Sequence, residues 1–276
     1  MFSQDVARVM PFRHAGHSNT LSVMLVGEAD QQRAALAVLT GLGSGQGHNA
    51  TTALSRAIDE IAKRLVWEGR VVYELVPMEG GRTHFHAVSS KGLIFAAGYV
   101  TQHLTAEDVA QWGGPRWRLA RRSSVWHLDM APSLGGRRGF LRMLNRLAKI
   151  ERLPPSFWRP SLGQHANQPA FDLQAYAQTG HALRLITTRE WGWSGRDWSS
   201  ERVTEFYNVY RTIDAARARI LLRDHIFAAL QQLLERLGID VQLQMKGMQT
   251  LQDLDVLRTR LLQGECGFSD VMDDLQ

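Results

Sequence analysis

A long amphipathic segment in the last quarter of the sequence constrains the fold more than any other feature. Between Glu201 and Leu237, apolar residues recur at spacings of three, four and seven, which places them on one stripe of a single helix. The residues on this stripe are Val203, Phe206, Tyr210, Ile213, Ile220, Phe227, Leu230, Leu234 and Leu237. A helix of this length is typical of a structural strut in an assembly rather than of a wall around a substrate pocket.

Two charged residues interrupt this apolar stripe. Arg217 and Asp224 occupy positions at which the heptad rhythm expects apolar side chains. A continuous seam between two helices would bury both charges, and that burial is unfavourable unless the charges find partners or water. We therefore expect the middle of the long helix to be polar, and we call Arg217 and Asp224 together its polar waist.

The hydrophobic period changes from that of a helix to that of strands at Gly69, and it changes back near Phe140. Residues 50 to 68 predict a helix with Asn49 as its N-cap. Three strands separated by glycine-containing turns then predict a small antiparallel meander: Arg70–Pro77, Thr83–Ser89 and Leu93–Val100. The predicted fold class is α+β, with a helix-flanked antiparallel meander and a long-helix C-terminal half.

Prolines and polar residues between positions 153 and 170 predict a linker. The linker divides the chain into an N-terminal α+β region, residues 1–152, and a mainly helical region, residues 171–276. Within the second region, alternation over Ile239–Lys246 predicts a strand that buries its odd-numbered residues. Thr250 and Asp253 form the pattern of an N-terminal cap for a helix that ends at Gly264.

Basic and aromatic residues are interleaved between Trp112 and Lys149. The members are Arg116, Arg118, Arg121, Arg122, Arg137, Arg138, Arg142, Arg146 and Lys149, with Trp112, Trp117, Trp126 and Phe140 among them. Such a block suits phosphate contact and base stacking, and it equally suits a protein interface anchored by Trp and Arg. The net charge of +5 and the pI near 9.7 favour an anionic partner.

Sequence motifs of nucleophilic and zinc-dependent catalysis do not occur in this chain, so we do not predict an enzyme and expect no cofactor. His84 and His86 lie two residues apart on one strand face and are weak candidates for a metal site. A third ligand would have to come from His103, His127 or Asp129. The glycine-rich segment 41–49 lacks the Gly-Lys-Ser/Thr sequence of a phosphate loop and is interpreted as a connector.

Cysteine content and hydropathy indicate the cellular setting. Cys266 is the one cysteine, which excludes an intrachain disulfide and fits a reducing cytoplasm. No apolar run approaches the roughly 20 residues that span a bilayer, so no membrane partner is expected. Residues 1–16 carry charges and a histidine where a signal peptide has its apolar core, so export is not indicated.

Several of these segments occur in an order that resembles the portal proteins of tailed bacteriophages. A helix precedes Gly-Arg-Val-Val-Tyr-Glu-Leu-Val at 69–76, and Ser-Val-Trp-His-Leu-Asp-Met at 124–130 leads to Gly-Gly-Arg-Arg-Gly-Phe at 135–140. The ending is similar as well, with Leu-Arg-Asp-His at 222–225 in the long helix, the strand, Leu-Leu-Gln-Gly at 261–264 and Phe-Ser-Asp-Val at 268–271.

This resemblance implies a subunit of a cyclic homo-oligomer at one capsid vertex, through which double-stranded DNA passes. Its partners would be other copies of itself, the capsid, the packaging motor and the tail adaptor, in a virion assembled in the host cytoplasm. It also implies that residues 1–152 are wing-like and that residues 171–276 form the stem and crown. The candidate DNA-facing residues are Arg116, Arg118, Arg121, Arg122, Arg137, Arg138 and Arg142.

The long helix would then pack laterally against its copies, with Arg217 of one copy able to pair with Asp224 of a neighbour. The candidate interface residues are Phe206, Tyr210, Ile213, Arg217, Ile220, Asp224 and Phe227. Three other interpretations remain open. They are a nucleic-acid-binding factor that uses block 112–149, a small enzyme with a histidine or carboxylate site, and a monomeric α+β protein.

Overall fold

The computed structural model describes residues 2–7, 9–10, 22–43, 49–78, 83–150, 158–159, 170–193 and 205–275. Its helices are α1 (Phe2–Val6), α2 (Ala29–Leu42), α3 (Ala50–Glu68), α4 (Ala106–Trp112), α5 (Gly136–Ile150), α6 (Leu173–Thr187), α7 (Glu205–Arg236), α8 (Leu251–Gln263) and α9 (Phe268–Leu275). Its strands are β1 (Ser22–Val26), β2 (Arg70–Pro77), β3 (Thr83–Val88), β4 (Leu93–Phe95), β5 (Tyr99–His103), β6 (Trp117–Arg121), β7 (Val125–Asp129), β8 (Trp158–Arg159), β9 (Ala170–Phe171) and β10 (Gln242–Lys246). The α+β class predicted from the sequence is confirmed.

Helix α3 forms where the sequence predicts it. The side chain of Asn49 accepts a hydrogen bond from the Thr52 N–H, and Gly69 follows the last turn in the left-handed conformation. Eight apolar side chains on one face of α3 are buried, and they form the centre of the main hydrophobic core. Burial of this face, more than helix propensity, holds α3 in place.

The predicted meander is divided between two small antiparallel sheets. Strand β2 lies between β3 and β7 in one sheet, while β5 lies between β4 and β6 in the other. The prediction of one strand over Leu93–Val100 is wrong, because Gly98 adopts a φ of 81° and the Ala96 N–H donates to the Tyr99 carbonyl, closing a turn between β4 and β5. Strand β7, which follows the second sheet in the sequence, pairs antiparallel with β2 and completes the first sheet.

The main core combines residues from both ends of the chain. Strand β1 pairs antiparallel with β10, so that Leu25 lies opposite Leu243. The same core contains Phe2, the buried face of α3, and α7 residues from Ala218 to Leu234. The predicted linker 153–170 lies almost entirely outside the described residues, and the division into regions 1–152 and 171–276 stays a prediction.

A tight turn after α6 anchors the N-terminal helix to α7. Trp191 is buried, with its ring centroid 5.5 Å from the rings of both Phe2 and Phe140. The Trp193 indole N–H donates to Asp5 at 3.0 Å. Gly192, at a φ of 60°, lies so close to α7 that an added Cβ would stand 2.3 Å from the Ala215 nitrogen. The turn therefore fixes the position of α1, α5 and α7 together.

The long helix is confirmed within the described residues as α7, and its first four predicted positions, 201–204, lie outside them. Thr250 caps α8 as predicted, since its hydroxyl accepts from the Asp253 N–H and the Asp253 carboxylate accepts from the Thr250 N–H. Helices α8 and α9 pack on the N-terminal half of α7 through a second, separate hydrophobic cluster. Its buried residues are Val209, Ile213, Leu257, Leu261 and Val271.

Candidate assembly and nucleic-acid surfaces

The seven candidate DNA-facing arginines do not form one surface. Arg116, Arg118 and Arg121 are exposed on or beside the edge strand β6, whereas Arg138 and Arg142 are exposed on α5. Arg137 is partly buried on α5, and Arg122 is partly buried in the short turn between β6 and β7. The structure therefore separates a basic strand from a basic helix.

Arg122 belongs to an internal cluster between the two sheets. Its guanidinium carbon lies 4.6 Å from the centroid of the Phe95 ring, and that of Arg70 lies 4.5 Å from the same centroid. The His127 ring stacks on Phe95 with a centroid distance of 4.6 Å. These cation–π and stacking contacts direct the two guanidinium groups toward Phe95, so Arg122 contributes to the structure rather than to an open basic surface.

Hydrogen bonds and ion pairs join this cluster to the long helix. Arg70 forms a bidentate ion pair with Asp129, in which Nη2 lies 2.8 Å from Oδ2. The His225 Nε2–H of α7 donates to the Asp129 carbonyl at 2.9 Å. At the end of α7, Arg236 donates to the carbonyls of Ser123 and Val125. Three parts of the fold, the two sheets and α7, are thus held at one junction.

The contacts at this junction shift the pKa values of His127 and Asp129. Burial and the neighbouring charges of Arg122 and Arg70 lower the pKa of His127 to about 4. Burial alone would raise the pKa of Asp129, but the hydrogen bond and charge of Arg70 outweigh that effect and hold the pKa below its ordinary value. At neutral pH, His127 is therefore uncharged while Asp129 is ionised.

The outer face of the β4–β5–β6 sheet is apolar and open to solvent. Strand register places Ile94, Thr101 and Leu119 in one row across the three strands, with Tyr99 and Trp117 on either side of that row. The exposed fractions are 66% for Leu119, 59% for Trp117, 55% for Ile94 and 49% for Tyr99. Exposed apolar residues grouped in this way make the face a candidate contact surface.

The predicted interface stripe of α7 is partly covered by the chain itself. Ile213 and Ile220 are buried, Tyr210, Arg217 and Phe227 are partly buried, and Phe206 and Asp224 are exposed. Helices α8 and α9 provide the cover around Ile213. The use of this stripe between copies stays a prediction, and Phe206 and Asp224 are its exposed members.

Both charges of the polar waist have partners within one copy of the chain. Arg217 forms an ion pair with Asp255 of α8. Asp224 pairs with the neighbouring Arg223 at 2.8 Å, and the buried Arg223 also donates to the Gln249 carbonyl. One chain can therefore satisfy the waist without a neighbour.

The structure does not bring a third metal ligand to His84 and His86. Both histidines are exposed on β3, opposite Val76 and Glu74 of β2, while His103 lies on the other sheet. Among the described residues there is no group of three or more side chains that could hold a metal ion. Most of the glycine-rich segment 41–49 lies outside the described residues. None of the described helices combines the length and the apolarity needed to cross a membrane.

The outer sheet face is an exposed apolar surface that the sequence did not reveal. Ile94, Tyr99 and Leu119 lie on three different strands, so their proximity depends on pairings that are distant in sequence. One local signal was available. Trp117, Leu119 and Arg121 are each two residues apart on one strand, so they share a face of it.

Comparisons with known proteins find similarity in structure but not in sequence. No protein-family model matches this sequence, and no curated protein sequence matches it at a significant level. The structure is similar to a chain in the virion of a native gene transfer agent particle, with a TM-score of 0.50, 12% identity, and coverage of 94% of this chain and 82% of that one. A chain in the neck of an empty gene transfer agent particle, computed with six-fold symmetry, aligns with a TM-score of 0.49, 12% identity, and coverage of 93% and 83%. At 12% identity, the likeness to the virion chain shows a shared fold alone.

Proposed function

We propose that this protein is a structural subunit of a phage-like particle and that it forms the portal ring. The observation that supports this proposal most is the fold likeness to a chain of a gene transfer agent virion, which extends over nearly the whole of this chain. The portal-like order of segments from the Gly69 turn to the C-terminal helices supports it independently. Neither observation calls for a catalytic group.

In this role the exposed arginines would face DNA as it moves through the ring. Arg116, Arg118 and Arg121 on or beside β6, with Arg138 and Arg142 on α5, have the exposure that a phosphate contact requires. Each phosphate contact strengthens binding, and many such contacts would hold a moving duplex in place. The inward orientation of Arg122 and the partial burial of Arg137 reduce the number of available contacts, which suits a channel that DNA slides through.

Assembly and docking supply the remaining parts of the proposed role. Copies of the chain would contact one another to form a closed ring, and the ring would bind the capsid, the packaging motor and the tail adaptor. The particle would assemble in the host cytoplasm and remain in the virion. Helix α7 is 32 residues long, its N-terminal half packs against α8 and α9, and its last residue, Arg236, donates to the Val125 carbonyl, so it is a stiff element suited to a ring that bears load.

The mass of the purified protein in solution tests this proposal. Mass photometry and class-averaged negative-stain images should show closed rings of many copies with a central opening. A protein that stays monomeric at high concentration and low salt contradicts the proposal. Rings without an opening wide enough for a duplex contradict the DNA channel while they leave a structural role in place.

A nucleic-acid-binding factor is the second candidate function. The observation in its favour is the edge strand β6, on which Arg121 is exposed on the same sheet face as Trp117 and Tyr99 while Arg118 is exposed on the opposite face. Fluorescence anisotropy with a labelled duplex and a labelled single strand tests it. A monomer whose affinity falls steeply with salt, and falls further in Arg118→Ala and Arg121→Ala, supports this candidate over the ring.

A further inference from the structure

Helix α5 carries a row of polar and positively charged side chains along its solvent face. At about 3.6 residues per turn, five exposed positions fall within an arc of about 100° around the helix axis. These positions, which we call the α5 stripe, are Arg138, Arg142, Asn145, Arg146 and Lys149. Because each residue adds about 1.5 Å of rise, the stripe extends over about 16 Å.

The positive charge of the α5 stripe is not balanced by its own helix or by α6. The sequence contains no aspartate or glutamate between Met130 and Ile150. Helix α6 and the short turn Pro132–Leu134, which pack against α5, contain none either. Within the part of the chain that the structure describes, none of the four cations forms an ion pair or a side-chain hydrogen bond. Since like charges one turn apart weaken a helix, the stripe does not serve the stability of α5.

The opposite face of α5 is occupied by the core of the same chain. Phe140 and Met143 are buried, and Leu144 and Leu147 pack against the main core. A basic amphipathic helix that binds a membrane surface inserts its apolar face into the lipid. That face of α5 is covered, so the helix presents only the α5 stripe to a partner.

The composition of the α5 stripe favours the phosphate backbone of a duplex. The stripe contains no aromatic and no large aliphatic side chain. Protein interfaces centre on anchors of those kinds, and single-stranded sites stack bases on aromatic rings. Each strand of a duplex instead offers one phosphate per roughly 3.4 Å of its axis, whatever the base sequence. Cations about 6 Å apart, the rise between residues i and i+4, therefore each lie near a phosphate.

We propose that the α5 stripe is a sequence-independent binding surface for the phosphate backbone of double-stranded DNA. This proposal rests on the proposed function for its partner, and it adds Arg146 and Lys149 to the candidate DNA-facing residues. Contacts with phosphates alone allow a duplex to slide. Strand β6 is less suited to this contact, because Arg118 and Arg121 lie on opposite faces of their sheet and Arg118 donates to the Gly113 carbonyl.

Two double variants of the full chain, with the same change in charge, test this surface. Arg142→Gln with Arg146→Gln removes two cations from the α5 stripe. The matched control is Lys63→Gln with Arg260→Gln, because both residues are exposed on helices outside the stripe. Fluorescence anisotropy with a labelled duplex at several salt concentrations gives the affinity and its dependence on salt.

The stripe variant should bind the duplex about 60-fold more weakly at about 0.1 M salt, because each lost phosphate contact releases about 0.9 fewer counterions. For each chain that contacts the duplex, the slope of log affinity against log salt should become shallower by about 2. The control should stay within about threefold of the wild type. Two duplexes of unrelated sequence should bind with the same affinity.

Melting temperatures and particle masses close to the wild-type values establish that both variants fold and assemble. Equal losses of affinity in the two variants overturn the proposal, because the affinity then follows net charge alone. A larger loss in Arg118→Gln with Arg121→Gln than in the stripe variant assigns the contact to β6 and also overturns it. Loss of assembly in the stripe variant at unchanged DNA affinity overturns it in favour of a protein contact.

The same measurements separate this surface from the ring. Wild-type rings with an open channel, together with a stripe variant that binds DNA like the wild type, overturn the stripe and leave the ring in place. A monomeric wild type whose affinity for the duplex depends on Arg142 and Arg146 overturns the ring and supports the stripe.

Discussion

At the scale of single residues, Gly192 has the strictest spatial requirement. Its φ of 60° places it in the left-handed region, and a Cβ would stand 2.3 Å from the Ala215 nitrogen and 2.5 Å from the Arg211 carbonyl oxygen. Both neighbours are backbone atoms of α7 and cannot rotate away. The residue therefore allows the buried turn at Trp191 to lie directly against the long helix.

Gly192→Ala should destabilise the protein by about 3 kcal/mol or more, because the left-handed conformation and the close contact both oppose a side chain. Gly264→Ala is the matched control. Gly264 has a φ of 73°, and an added Cβ would have no heavy atom of another residue within 4 Å, so only the conformational cost of about 1–2 kcal/mol applies. Urea unfolding of both variants measures the difference. Equal losses would show that α7 moves to accommodate the methyl group.

The His127 junction predicts how stability depends on pH. The folded-state pKa of about 4 lies below the ordinary value of 6.5, so between these values the unfolded chain binds a proton that the folded chain does not. Stability should therefore fall as the pH is lowered from 6.5 to 4, by roughly 1 kcal/mol once screening at the half-exposed ring is allowed for. Protonation of Asp129 adds a further loss below its ordinary value of 3.8.

His127→Gln removes the titrating group and should flatten the dependence in the upper part of this range. Chemical unfolding at several pH values gives the slope of the free energy of unfolding against pH in the wild type and in the variant. A slope that is unchanged in His127→Gln would assign the pH dependence to other groups.

At the scale of elements, strand β10 shows which features the sequence alone could predict. Alternation between Gly238 and Gly247 predicts its two faces. Ile239, Val241 and Leu243 are buried as expected, whereas Met245 is only partly buried. The strand begins later than predicted, at Gln242, because β1 pairs only with residues 242–246. Facial alternation is a local property, whereas the length of a strand depends on its partner.

Val241→Asp should cost several kcal/mol, because Val241 is 2% exposed and the carboxylate would enter the main core without a partner. Gln242→Asp is the control on the exposed neighbour and should change stability by less than about 0.5 kcal/mol. Thermal unfolding of the two variants makes the comparison. Similar melting temperatures would mean that the segment before β10 does not face the core.

The caps and the separate sheets mark the limit of prediction from sequence. Asn49 and Thr250 were predicted correctly, since a cap depends on residues within one turn. The pairing of β2 with β7 joins residues such as Arg70 and Asp129 that no local pattern connects. The candidate DNA-facing set was divided for the same reason, because β7 and its preceding turn direct Arg122 inward while β6 leaves Arg121 exposed.

At the scale of the whole molecule, the polar waist of α7 connects the stability of one chain with contacts between chains. Arg217 and Asp255 form an exposed pair within one copy, and such pairs contribute about 0–1 kcal/mol. The proposed pairing of Arg217 with Asp224 of a neighbour would act only in the assembly. The two contacts can therefore be measured separately.

Arg217→Ala should lower the stability of the monomer by less than about 1 kcal/mol. A double-mutant cycle with Asp255→Ala, read by unfolding, should show a small coupling within the chain. A second cycle with Asp224→Ala, read by the mass of the assembly, examines the contact between chains. Normal assembly of both Arg217→Ala and Asp224→Ala would exclude the waist as part of the seam.

The separate hydrophobic cluster beneath α8 and α9 has a consequence for motion. Five buried residues hold these helices, whereas α3 lies within the much larger main core. Amide protons of α8 should therefore exchange with solvent through a local opening of lower free energy than the global unfolding that exposes α3. A neighbour that contacted α8 or α9 in the proposed ring would suppress that opening by mass action. Exchange in α8 and α9 would then be slower in the ring than in the single chain, while exchange in α3 would change little.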